Sequence, residues 1–214
     1  MNMKINILVF LILVTNVFLL KNSYGQGYAV GAGVDFAAAN DNVDSAPGFY
    51  GHFDYIFETL SIVARAEFGG YSSSARTDPN EKTDLFPGDY SMKWVELSGM
   101  LKSPNPRTQP YVGIGFGYYL FNYKMSVSFK SSVENTLIQE GKLQNNFGVH
   151  AKGGINLIIA PAVFIKLELK YVYVKSDIEL TFTDLNKTPP EDFKSTLKPN
   201  LSTVFVGAGL IVAL

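Results

Sequence analysis

This 214-residue chain contains two histidines and nearly equal numbers of acidic and basic side chains. These are the residues that could take part in catalysis or bind ions. A hydrolase built on a nucleophile, a histidine base and an orienting acid needs these groups together at an accessible position. The chain has no cysteine, and its histidines, His52 and His150, are not part of a His-x-Ser motif. Both are expected near the middle of a strand, where a packed or hydrogen-bonded histidine is the ordinary case. We therefore predict no enzyme, no metal site and no cofactor.

The charged residues alternate with apolar ones, which predicts that they share one face of a β-structure. Acids and bases are nearly equal in number on this face, and opposite charges enclosed in a narrow space pair with one another. We predict a charge network that plugs the interior of the fold, with a gated or selective path as the alternative. Its members are Asp54, Arg65, Glu67, Glu96, Lys152, Lys166, Glu168 and Lys170, with Asp35, His52 and His150 on the same face.

The expected pairings follow from the turns between neighbouring strands. A two-residue turn before the third strand would place Arg65 opposite His52 and diagonal to Asp54. A later short turn would place Lys152 diagonal to Glu168, within reach of a long side chain. Both placements bring opposite charges within reach of each other through long side chains.

Eight segments of alternating apolar and polar residues must position these charges, and each is about as long as a tilted strand that crosses a bilayer. The links between them alternate short and long, as in a barrel with short periplasmic turns and long extracellular loops. The sequence predicts an all-β fold, an eight-stranded antiparallel up-and-down transmembrane β-barrel. The segments are residues 27–36, 49–57, 60–70, 92–101, 111–121, 146–157, 163–173 and 203–214.

A soluble barrel with its apolar face inside is the competing fold. About five large apolar side chains on each of eight strands exceed the volume that such a barrel encloses. Glycine, in contrast, concentrates on the polar face, as a crowded interior requires. The membrane barrel is therefore favoured, and a two-sheet sandwich is the least favoured of the three.

The N-terminal segment predicts export. Residues 1–25 have a basic start, an apolar run from Ile5 to Leu20 and small residues before the expected cleavage site, as in a secretory signal peptide. The alternative is an uncleaved anchor, but the run is shorter than the roughly 20 residues of a spanning helix. Residues 26–214 would then form the barrel domain. The chain has 18 basic and 19 acidic residues, so its net charge is close to zero. We therefore expect no nucleic-acid partner.

The alternation changes phase after the fifth and the seventh segments. Apolar residues move from the lipid-facing parity to the inward parity, as expected where a strand leaves the bilayer and meets water. We predict that these extensions form a closed apolar cap or an apolar pocket open to the exterior. The residues are Tyr123, Met125, Val127, Phe129, Ile178, Leu180 and Phe182.

Glycine-rich strands of this kind resemble those of a known group. The runs Gly31-Ala32-Gly33, Val112-Gly113-Ile114-Gly115-Phe116-Gly117-Tyr118 and Val206-Gly207-Ala208-Gly209-Leu210, with the signal and the eight strands, resemble small outer-membrane β-barrel proteins of Gram-negative bacteria. That group includes the OmpX, OmpA-barrel and OmpW types.

The resemblance implies insertion into the bacterial outer membrane after passage through the periplasm. Outer-membrane lipid and the outer-membrane assembly machinery would be its partners, and the long loops could contact a surface ligand. Two functions are considered, and the first is favoured. The first is a structural or adhesive role at the cell surface. The second is a narrow channel or binder for small hydrophobic molecules, which similarity to the OmpW type implies.

Overall fold

A computed structural model describes residues 26–57, 61–75, 85, 87–104, 107–125, 129–131 and 136–214. Eight of its strands form a closed antiparallel barrel, as predicted. Residues 1–25, the expected signal peptide, lie outside the described residues. The barrel strands are β1 (Gln26–Ala37), β2 (Ala46–Phe57), β3 (Ile62–Ala75), β4 (Gly88–Lys102), β5 (Thr108–Met125), β8 (Asn146–Ala160), β9 (Val163–Tyr173) and β12 (Thr203–Ala213).

Each barrel strand pairs with its neighbour along the chain, and β1 pairs with β12 to close the cylinder. Several strands are longer than their alternation indicated. β3 continues through a serine-rich stretch to Ala75, and β4 begins at Gly88, because these polar segments pair with each other as a ladder. The additional residues lie at the end of the barrel that carries the long links.

The predicted register between β2 and β3 is wrong. Phe57 pairs with Ile62, so four residues rather than two form the turn, and Ser61 takes a left-handed backbone conformation with φ of 54°. Asp54 therefore lies directly opposite Arg65, and His52 lies opposite Glu67. The prediction for the later turn is correct: Lys152 pairs with Lys170, which makes it diagonal to Glu168 on the same face.

Four further strands form a small sheet beyond the long-link end of the barrel. They are β6 (Phe129–Ser131), β7 (Thr136–Leu143), β10 (Ile178–Asp184) and β11 (Glu191–Leu197), in the order β11-β10-β7-β6. Only four residues separate the end of β9 from the start of β10. β11 lies at one edge of this sheet, and all seven of its residues are exposed.

The two faces of the barrel wall differ sharply. Outward side chains are apolar and open to the surroundings, and Ile114 is 72% exposed. Inward positions carry the charged and aromatic residues, which are almost all buried. A wall that is apolar outside and polar inside is the arrangement of a barrel in hydrocarbon, because closure satisfies every backbone polar group.

Among the described residues, no helix is both long enough and apolar enough to cross a membrane.

Candidate functional site in the barrel interior

The barrel interior is divided into layers of different chemistry along its axis. Nearest the short turns is a small apolar collar of Ile56, Val63, Met100 and Tyr111. Above it lies what we call the ion-pair layer, and above that the aromatic layer, which reaches the extra sheet. The ion-pair layer contains Asp54, Arg65, Glu67, Glu96, Lys152, Lys166, Glu168 and Lys170, all buried. The aromatic layer contains Tyr50, Tyr71, Tyr90, Met92, Trp94, Phe121 and Phe205, also buried.

Arg65 organises the half of the ion-pair layer nearer the short turns. Its Nε and Nη2 donate to the two carboxylate oxygens of Asp54 at 2.7 and 2.8 Å, and its Nη1 donates to Glu168 at 3.2 Å. Glu168 also accepts hydrogen bonds from Lys166 at 3.1 Å and from the Tyr111 hydroxyl at 2.7 Å. Bidentate pairing with a carboxylate uses the planar fork of the guanidinium. This cluster joins β2, β3, β5 and β9 across the lumen.

Lys170 organises the other half. Its ammonium lies 2.8 Å from Glu67 and 3.2 Å from Glu96. Lys152 bridges the same two carboxylates at 3.2 and 3.7 Å. The Tyr119 hydroxyl donates to Glu96 at 2.9 Å. Two bases and two acids thus form a closed group that joins β3, β4, β8 and β9.

The two histidines belong to these clusters. His52 Nδ1 lies 3.1 Å from Asp54 Oδ1, and His150 Nε2 lies 2.8 Å from the Ser98 hydroxyl. His150 Nδ1 is 3.9 Å from Glu96, so a hydroxyl, an imidazole and a carboxylate lie in sequence. All three side chains are buried. In the described part of the chain, no cluster of three or more metal-ligating side chains occurs.

The ion-pair layer occupies the middle of the lumen, and all of its side chains are buried. A cavity of about 330 Å³ lies at the short-turn end, and the apolar collar forms part of its wall. Asp54, Arg65 and Asn156 also line it. Because every charge in the layer has an opposite charge within 4 Å, moving one side chain out of the lumen would break pairs in a buried setting.

The aromatic layer fills the lumen beyond the ion pairs. The Phe205 ring lies 5.3 Å from Trp94 and 5.7 Å from Tyr71, and Tyr71 lies 5.9 Å from Tyr90. Lys170 connects the two layers, since its ammonium lies 4.4 Å from the centre of the Trp94 ring. Tilted and edge-to-face rings at these distances attract one another beyond their burial. This half of the lumen is therefore apolar, with isolated polar atoms.

Four polar atoms in the aromatic layer and its lower boundary have no hydrogen-bond partner within the described structure. They are Asp35 Oδ1, Tyr50 Oη, Tyr90 Oη and Trp94 Nε1. Each belongs to a side chain that is at least nine-tenths buried. Leaving a buried polar group unpaired costs free energy, about 1–3 kcal/mol for a neutral group. Such atoms mark places where a water or a ligand would gain hydrogen bonds.

The predicted cap residues lie where the barrel meets the extra sheet. Ile178, Leu180 and Tyr123 are buried in the same apolar cluster as the aromatic layer, and Met125 and Phe182 pack against it. The Phe182 ring stacks on Phe193 of β11 at 5.2 Å. Val127 lies outside the described residues; Phe129 begins β6, and its side chain is not described.

Some members of the site were not among the predicted site residues. Tyr111 and Tyr119 donate to carboxylates of the ion-pair layer, and the ring of Tyr50 lies under the Lys166 ammonium at 4.0 Å. All have the inward parity of their strands. Aromatic residues at inward positions of otherwise glycine-rich strands were the available signal.

Comparison with known proteins gives a family and a set of similar folds. The sequence profile described as the OmpW family matches residues 81–209. No match is found among curated protein sequences. The outer membrane protein OprG of Pseudomonas aeruginosa has a similar structure, with a TM-score of 0.68 and 12% identity, over 90% of this chain and 97% of that one.

Two further solved structures share the barrel. Neisserial surface protein A, NspA, gives a TM-score of 0.53 at 14% identity, covering 88% of this chain and 98% of that one. A major outer membrane protein of Thermus thermophilus gives 0.55 at 11% identity, covering 89% of this chain and 100% of that one. At these identities the likeness shows a shared fold.

Proposed function

The chain belongs to the OmpW family, and from that premise we propose that it binds small apolar molecules in the outer half of its barrel. It is a bacterial outer-membrane β-barrel protein, and the long-link end is the extracellular end of such barrels. The observation that carries the proposal is the division of the lumen into two layers. The extracellular half is lined by aromatic rings and Met92. The ion-pair layer lies next to it on the periplasmic side, followed by the apolar collar.

The chemistry of the aromatic layer supports an apolar ligand. Ligand sites are mostly apolar, with a few polar groups that fix orientation. Met92 is fully buried in this layer, and a methionine adapts its shape more readily than a branched or aromatic side chain. Movement of Met92 and of the covering residues Ile178 and Leu180 would open the layer towards the extracellular sheet. The ion-pair layer would stop the ligand from crossing to the periplasm.

The single tryptophan of the chain, Trp94, provides the test. Bromine quenches indole fluorescence on close contact, so bromocyclohexane added to the purified protein in lipid nanodiscs should quench Trp94 in a saturable manner. The same preparation in a planar bilayer should show no steady conductance, because buried, paired charges occupy the middle of the lumen.

Brominated phospholipid is the control, because Trp94 points inward and is 2% exposed. It should leave the fluorescence almost unchanged. Quenching by bromocyclohexane that rises linearly without saturation, or equal quenching by the brominated lipid, would refute a site in the lumen.

A role in surface contact is the second candidate, and exposed strand β11 favours it. An edge strand presents unpaired backbone groups that can receive another strand. Phe193 and Leu197 are 47% and 39% exposed on this strand. Lys194 forms an ion pair with Glu179 on β10, and its hydrogen bond lowers the pKa of that carboxyl. The hairpin is therefore held together while it offers apolar side chains and a free edge to another surface.

Substituting the exposed apolar residues of β11 tests this role. In cells that produce the protein, Phe193→Asp with Leu197→Asp should reduce adhesion to glass and slow the settling of a suspension. The amount of folded barrel should be unchanged, because both side chains are exposed. Equal adhesion and settling by variant and wild-type cells at matched surface amounts would rule out a role for this strand.

A further inference from the structure

Resting on the proposed binding function, we propose that the preferred ligand is an apolar molecule that carries one uncharged hydroxyl group. Its hydroxyl would donate a hydrogen bond to Asp35 and accept one from Trp94. The inference comes from the polar atoms that the aromatic layer leaves without partners, and from the charges that surround them.

Asp35 supplies a hydrogen-bond acceptor that no other group of the described structure uses. It points inward from β1, is 5% exposed, and its Oδ1 has no hydrogen-bond partner among the described residues. The carboxylate lies against the backbone of β2, where a Cβ built on Gly48 would come within 2.3 Å of Oδ1. A buried carboxylate is costly unless it accepts hydrogen bonds. A ligand that donates one would therefore gain more here than at an exposed acid.

Trp94 supplies a donor in the same layer. Its Nε1 is buried and has no partner in the described structure. An indole N–H can only donate, so its complement is an acceptor. The two atoms lie over neighbouring inward glycines: a Cβ on Gly48 would come within 2.3 Å of Asp35 Oδ1, and a Cβ on Gly69 would come within 2.6 Å of Trp94 Cε2, the ring atom bonded to Nε1. Gly69 pairs with Tyr50, which is two residues from Gly48 on the same face of β2, so the two glycines are diagonal neighbours. A hydroxyl is the smallest group that donates and accepts at once.

The surrounding charges argue against an ionic ligand. A cationic ligand beside Trp94 would be repelled by the ammonium of Lys170, which already lies 4.4 Å from the Trp94 ring and 5.0 Å from the Phe205 ring. An anionic ligand would face Asp35 itself, and then Glu67 and Glu96 of the ion-pair layer. Both acids are already paired with Lys170. The neutral hydroxyl avoids both repulsions and still meets the two unused atoms.

A matched pair of quenchers tests the inference on the full chain in nanodiscs. The probes are bromocyclohexane and trans-2-bromocyclohexanol, which differ by one hydroxyl. Saturable quenching of Trp94 gives a dissociation constant for each, corrected for its partition into lipid. The alcohol should bind about tenfold more tightly, as expected for one hydrogen bond to a charged group. In the variant Asp35→Leu, which keeps the branched shape of the side chain and removes the acceptor, the two constants should become nearly equal.

Asp41→Leu is the control, because Asp41 is an exposed acid between β1 and β2; it should keep the tenfold preference. If both probes bind equally to the wild type, the hydroxyl preference is refuted and the proposed apolar site stands. If the preference is present but persists in Asp35→Leu, the assignment to Asp35 is refuted. If neither probe quenches saturably, both the inference and the proposed function fail. The wild-type comparison decides the matter even if the Asp35 variant does not fold.

Discussion

Replacing Arg65 with alanine is expected to lower the free energy of unfolding of the barrel by about 3–5 kcal/mol, the cost of removing one partner from a buried ion pair. Arg65 is 2% exposed and donates to both oxygens of Asp54 and to Glu168. Without it, Asp54 would keep only its contact with His52, and two buried carboxylates would lose their shared cation. Urea unfolding in lipid vesicles, followed by Trp94 fluorescence, measures the change.

Two further variants separate charge from geometry. Arg65→Lys keeps the positive charge but cannot bind Asp54 with two parallel hydrogen bonds, so its loss should be intermediate. Arg107→Ala removes an arginine at an exposed position near the short-turn end and should change the unfolding free energy by less than about 0.5 kcal/mol. If Arg65→Ala and Arg107→Ala unfold at the same urea concentration, the ion pairs of Arg65 do not stabilise the fold.

The positions that face the lumen could be predicted from the sequence, because side chains of a strand alternate between its two faces with a period of two. Parity alone placed Glu67, Lys152 and Lys170 on the inward face, and a narrow closed cylinder brings inward charges together whatever their register. The identity of each partner depended on the turns. The four-residue turn before β3 moved Arg65 from His52 to Asp54, and a left-handed residue at Ser61 gives no strong signal in a sequence.

The extracellular sheet could be predicted from the sequence only in part. The phase change in the apolar pattern predicted that Tyr123 and Leu180 turn inward, and both are buried. The strand β11 has no such alternation, because neither of its faces is covered and no periodic burial acts on its residues. The extension of β3 was missed for a related reason: Ser72 to Ser74 pair with β4 through the backbone, which a serine-rich sequence does not reveal.

Gly115→Ala and Gly99→Ala are expected to have opposite effects, although the two glycines lie on adjacent paired strands. A Cβ on Gly115 would lie 2.0 Å from the Leu97 carbonyl oxygen and 2.6 Å from His150 Nε2. The ring can shift, but the carbonyl belongs to the neighbouring β4 ladder and cannot move without opening it. We expect a loss of about 1–3 kcal/mol or more in the free energy of unfolding, measured by urea unfolding in vesicles.

Gly99 faces the lipid, and a Cβ there meets no atom within 4 Å. Alanine would add apolar surface and restrict the unfolded chain, so Gly99→Ala should stabilise the barrel by about 0.4–1 kcal/mol. The pair therefore tests which face of the wall is crowded. If Gly115→Ala is as stable as the wild type, the interior is not packed around His150 as described. Destabilisation by Gly99→Ala, in turn, would place that residue against a packed surface rather than lipid. If the lumen is filled, the barrel wall should tolerate added volume only on its outer side. A ligand must then enter by movement of the extracellular cover, because there is no unused space between the strands.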